Sequence, residues 1–138
     1  MEDTIIVIML KNKNTGFLEK ELASLDLVEN VDYIVNIFAT DEDSGRKLHI
    51  KLSTKKDVLD WEYSAIYDYY DTECFKGKCD VIECDDDYNP VWEVIIDYDE
   101  DLSILEEKVS EILAIHKNEV EDVFDTIKDK EMEYRDGE

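Results

Sequence analysis

Three cysteines, two histidines and a large excess of carboxylates are the residues of this chain with chemistry to offer. Cys74, Cys79 and Cys84 are evenly spaced, and with His49 or His116 they would make a zinc donor set. Structural zinc sites, however, draw ligand pairs from tight knuckles roughly two to four residues apart, and no C-x-x-C occurs here. A thiol nucleophile needs a base and a positive environment to lower its pKa, whereas these thiols sit in an acidic chain. We expect reduced cysteines that neither bind metal nor catalyse. His116 falls on an apolar helical stripe and reads as a histidine at the core edge. His49 has the outward parity of its strand and reads as solvated.

The acidic clusters Asp41-Glu42-Asp43 and Asp85-Asp86-Asp87 lack the alternating ligands, central Gly and terminal Glu of a calcium loop. There is no Gly-rich phosphate loop, no G-x-S-x-G and no H-E-x-x-H. The sequence therefore points away from an enzyme and from any cofactor. The alternative is a hydrolase or transferase working with scattered carboxylates, for which the many acids single out no pair.

What remains is charge. Against 15 Lys and Arg stand 38 Asp and Glu, a formal net charge of -23 over 138 residues. Such a surface repels phosphate backbones, so direct nucleic-acid binding is not expected. Arg46 and Arg135 are the only arginines, which removes the bidentate forks used on phosphate and carboxylate ligands. Two acidic rows are candidate contacts for a protein partner with a basic surface: Asp57, Asp60, Asp68 and Asp71 on one predicted helix, and Glu121, Asp125 and Asp129 on another. Like charges one turn apart, about 6 Å along a helix, cost a few tenths of a kcal/mol per pair. A ladder of this kind could stand in for phosphates, which suggests an inhibitor that mimics nucleic acid and blocks a nucleic-acid-binding enzyme, of the phage anti-defence type. The simpler alternatives are a solvated face that keeps the protein soluble, or a small accessory protein or homodimer of the bacterial kind. Tyr63, Tyr67 and Tyr70 flank the first row and would serve as aromatic anchors if exposed, a wide core-facing surface of the helix being the equally simple alternative.

These side chains need elements to position them. Hydrophobic residues make up 43% of the chain, enough for a core despite the charge. We read residues 1–138 as one domain. The longest apolar run, Ile5 to Leu10, falls far short of the roughly 20 residues that cross a bilayer. With an acidic start at Glu2-Asp3, the expectation is a cytoplasmic protein with no membrane contact. Thr4 to Leu10 is apolar at both parities, predicting a strand covered on both faces or one at the centre of a sheet. After the turn signal at residues 11–16, Phe17 to Leu22 predicts a second strand, with a helix through Leu18, Leu22 and Leu25 as the alternative. Val31 to Ala39 and Arg46 to Leu52 alternate as a hairpin. The following helix carries Val58, Trp61, Ala65 and Tyr69 opposite its acids, with Thr54 and Asp57 as its capping pair and Glu62 left unexplained on the apolar side. After a turn at Gly77 come strands at Cys79–Cys84 and Val91–Tyr98. A long final helix is capped by Ser103-x-x-Glu106 and buries Leu105, Val109, Ile112, Leu113, His116, Val120, Val123, Phe124 and Ile127. The order β-β-β-β-α-β-β-α predicts an α+β fold, an antiparallel sheet of about six strands covered by helices.

Overall fold

The computed structural model describes residues 4–75, 79–84 and 88–135. The expected turn at Gly77 and the Asp85-Asp86-Asp87 cluster lie outside the described residues. The chain forms strands β1 (Thr4–Lys11), β2 (Leu18–Leu27), β3 (Ile34–Glu42) and β4 (Gly45–Ser53), then helix α1 (Asp60–Tyr69). Strands β5 (Asp80–Cys84) and β6 (Val91–Asp97), the long helix α2 (Leu102–Ile127) and the short α3 (Glu131–Arg135) complete the order. The fold is α+β, with the predicted sequence of elements and a six-stranded sheet ordered β2-β1-β3-β4-β6-β5.

The sheet is mixed rather than wholly antiparallel. Sequence-adjacent strands pair as hairpins, but β1 runs parallel to β3 through Met9 opposite Phe38 and Leu10 opposite Ala39. The cause is connectivity: β2 occupies the edge, so the chain must pass β1 before β3 can join the sheet on its other side. Asn30 makes that reversal in the left-handed region, φ 64°, which Asn tolerates better than most side chains. A 3-10 turn at Val31–Tyr33 follows, so β3 begins three residues later than its alternation suggests. β2 is a strand and not a helix, longer than expected and tied to β1 with register shifts at Ile8/Met9 and Leu10/Lys11.

All helical cover lies on one face. Leu48, Ile50 and Leu52 of β4, with Trp92, Val94 and Ile96 of β6, share one core with Val109, Ile112, Leu113, Val120 and Val123 of α2. Ile8 and Leu10 join it from β1, but Ile5 is 59% and Val7 41% exposed. Of the two expectations for β1, an interior place in the sheet holds, with β2 and β3 on either side; cover on both faces does not, because among the described residues no element packs over its second side-chain row.

The helix starts also differ from the predicted caps. Thr54 turns its hydroxyl onto the Lys56 carbonyl at 2.7 Å instead of capping a helix. Asn89 then holds the approach to α1, accepting from the Val58 N–H and donating to Asp57. The orphan N–H of Leu59 is taken by Glu62 at 2.9 Å, which explains the acid that the amphipathic pattern left unplaced. In α2 the cap is Asp101, accepting from the Ser103 N–H at 3.0 Å. Glu106 is thereby released from the predicted Ser103 box and accepts from the Asp26 N–H in β2 at 2.6 Å. The final helix is also broken after Ile127, so that α3 returns to α1: Tyr134 packs near Trp61 and donates to Asp68.

Candidate binding surfaces

The first acidic row is not one helical ladder. Only Asp60 and Asp68 belong to α1, while Asp57 and Asp71 lie before and after it. Three of the four are engaged locally: Asp57 by Asn89, Asp68 by the Tyr134 hydroxyl, and Asp71 by the Glu73 N–H in a turn. All four remain on the exposed surface. In the second row Glu121 and Asp125 are on the solvent side of α2, and Asp129 follows the helix. Lys117 pairs with Glu121 at 3.3 Å and Lys128 with Asp125 at 2.9 Å. Asp122, between them in sequence, and Glu107, one end further, are exposed on the same helix.

The tyrosine flank is largely interior, which corrects its reading as a set of exposed anchors. Tyr70 is buried, its ring stacked on Trp92 at 4.1 Å. Tyr67 is half-buried, and its hydroxyl accepts from the Val91 N–H at 2.9 Å while bonding to the Cys84 carbonyl, so it ties β5 to β6. Burial raises the pKa of both phenols. Tyr63 is half-buried against Tyr67. The wide apolar side of α1 thus faces the core, because the helix is short and wedged between α2, α3 and the β5–β6 end of the sheet.

His116 is inside the core rather than at its edge. It is fully buried, with Nε2 2.9 Å from the Ser53 carbonyl and Nδ1 2.8 Å from the Tyr70 hydroxyl. A carbonyl can only accept, so Nε2 carries the proton and Tyr70 donates to Nδ1. Burial lowers the His116 pKa to about 4, against a smaller raising effect of the Ser53 bond. The ring is a neutral strut between β4, α1 and α2. Cys74, Cys79 and Cys84 are not joined in disulfides. Burial, with the charges of Glu119 and Asp71, raises Cys74 to about 11, the opposite of what a nucleophile requires. Among the described residues no cluster of three or more His, Cys, Asp or Glu is arranged to hold a metal, and no helix is long and apolar enough to cross a membrane.

The surface that sequence reasoning missed is the uncovered face of the sheet. Its cross-strand register builds a row running Glu21, Met9, Phe38, His49, Ile95, Asp80 from edge to edge. Neighbouring rows hold Thr40, Lys47 and Asp97, and Lys51, Glu93 and Ile82. His49 is not solvated. It stacks on Phe38 at 4.8 Å, its Nδ1 lies 2.9 Å from Glu93 and its Nε2 lies 2.8 Å from the Thr40 hydroxyl. The order hydroxyl, imidazole, carboxylate is that of a hydrolytic relay. Here Thr40 is only 4% exposed and its hydroxyl also bonds Glu42 at 2.6 Å. The Thr40 hydroxyl thus links Glu42 and His49 in one chain of bonds along this sheet face.

A family model described as a family of unknown function, DUF6762, matches residues 1–135. The chain belongs to this family. No curated protein and no solved structure matches it. The match of the DUF6762 model runs from β1 through α3, so both the acidic helical side and the uncovered sheet face lie within the matched region.

The second face of β1 could have been suspected from its sequence neighbours. Lys47, His49 and Lys51 alternate with the core residues of β4, as Glu93, Ile95 and Asp97 do in β6. Polar central strands on one parity mean that this face of the sheet is not sandwiched.

Proposed function

We propose that this DUF6762 chain is a non-enzymatic binding domain that recognises a basic protein surface through the acidic solvent side of its helical layer. The observation that supports it is α2, a helix of 26 residues and thus about 39 Å long. Its outer side carries Glu107, Glu121, Asp122 and Asp125, all exposed among the described residues. Placed on a rigid rod, these carboxylates meet a partner without an ordering cost of the backbone.

Charge density favours a basic protein patch over full mimicry of a duplex. From Glu107 to Asp125, about 27 Å of helix, these four carboxylates average about one charge per 7 Å, whereas a duplex carries one per about 1.7 Å. Mimicry of nucleic acid is the sharper version of the proposal, and DNA competition decides it. The test is capture of partners from a lysate of the source cells at about 50 mM and 500 mM salt, since screening shortens from roughly 14 Å to 4 Å over that range. The wild type should lose its partner at high salt. A triple reversal Glu121→Lys, Asp122→Lys and Asp125→Lys, shown to be folded by circular dichroism, should lose it at both. Retention unchanged by salt and by the reversal would overturn the reading. Displacement by duplex DNA would make the partner a nucleic-acid-binding protein.

A further inference from the structure

We infer that the uncovered sheet face is an interface for a second copy of this chain, packed sheet to sheet about a two-fold axis. The helical side cannot serve, because it would set acids against acids. The uncovered face is different in kind: Lys11, Lys47 and Lys51 stand there among Glu21, Asp26, Asp80, Glu93 and Asp97, with apolar Ile5, Val7, Met9, Ile95 and Ile82 between them. In a chain of net charge -23 it is a surface that a second copy can approach without strong repulsion.

The arrangement is also complementary to itself. An axis parallel to the strands on the sheet midline, between β3 and β4, sets β1 of each copy over β6 of the other. Strand level is preserved by that rotation. Met9 then faces Ile95, Phe38 faces His49, and Lys11 faces Asp97, because Met9, Phe38, His49 and Ile95 share one level and Lys11, Thr40, Lys47 and Asp97 the next. Like charges meet at the rim, where Glu21 faces Asp80 and water screens them. Six strands at about 4.8 Å and seven residues at about 3.3 Å give a footprint near 29 by 23 Å. Two copies together cover roughly 1,300 Å², within the range of stable specific interfaces. Ile5 at 59%, Val7 at 41% and Ile82 at 50% exposure are apolar surface that pairing covers, Val7 lying opposite Glu93 and Ile82 opposite Ser24 by the same levels.

Sedimentation equilibrium of the full chain, from about 1 to 500 µM, tests the inference. The wild type should reach a mass twice its 16.2 kDa. Val7→Glu should weaken association at least tenfold, and Ile82→Glu on the edge strand provides the same readout should the first variant lose its fold by circular dichroism. Ala114→Glu, on the exposed side of α2, should leave the dimer intact. A wild type that stays at monomer mass throughout the range overturns the inference. So does a folded sheet variant that still dimerises, or a dimer abolished by the helix variant alone. Because the surfaces are opposite, loss of the dimer and loss of the helical-side partner are separable.

Discussion

The buried histidine makes the stability of this protein depend on pH in a way that can be worked out from one side chain. His116 in the folded chain titrates near 4, below its ordinary 6.5. As pH falls through 6.5 the unfolded chain takes up a proton that the folded chain refuses, so stability is full above that value and lost on the way down to about 4. Linkage gives a loss of about 2 kcal/mol at pH 5 and about 3 kcal/mol at pH 4 from this group alone. The measurement is urea denaturation at pH 7.5 and 5.0, followed by the fluorescence of Trp92, which stacks on Tyr70 beside His116. Other groups also contribute to the pH dependence, so the comparison is with His116→Gln, which carries all of them unchanged. The variant should be less stable at pH 7.5, having lost a ring bonded at both nitrogens. Its further loss between pH 7.5 and 5.0 should be smaller than that of the wild type by about 2 kcal/mol. Equal pH dependence in the two proteins would show that His116 is not held neutral, and the strut between β4, α1 and α2 would have to be abandoned.

Two other outcomes follow from the same structure. Asp101→Ala removes the side chain that accepts from Ser103 at the start of α2 and should cost about 1 kcal/mol in urea denaturation; Ser103→Ala should cost much less, reversing the order that a Ser103 cap would give. Cys74, raised from 9.0 to about 11, should react with iodoacetamide at pH 8 about a hundredfold more slowly in the folded protein than in urea. Mass spectrometry of the quenched samples resolves this, and equal rates would contradict its burial.

Much of the architecture was legible because strands and helices here obey strong periodicities. The stripe Leu105, Val109, Ile112, Leu113, His116, Val120, Val123, Ile127 is buried as its spacing requires, while Phe124, read as part of it, is only partly buried, and the six strands occur near where the sequence placed them, give or take their ends. Local pattern could not show the parallel β1–β3 pair, since pairing depends on which strand takes the edge. The caps were misread for a related reason. Thr54 and Ser103 have suitable residue types, but Asn89, remote in sequence, and Asp101, two residues before Ser103, take the N–H groups at the helix starts instead. The tyrosines of α1 look like a surface flank on a helical wheel because a wheel does not show that β5, β6 and α2 enclose a helix of ten residues. The uncovered sheet face is a property of layers, visible in sequence only through the polar parity of β4 and β6.

The seam between β1 and β3 bears on how the chain is made. It is short, with two residue pairs, and the N-terminal hairpin is held to the rest also by Leu25 and Leu27 in the common core and by the bond from Asp26 to Glu106. Those anchors lie against α2, which is synthesised only after β3, β4, β5 and β6. The β1–β2 hairpin therefore waits, with Ile8, Leu10, Leu25 and Leu27 in water, until α2 has emerged. An acidic chain is well suited to such a delay: the charge that keeps the finished protein dispersed also keeps unfinished copies apart while they wait for α2.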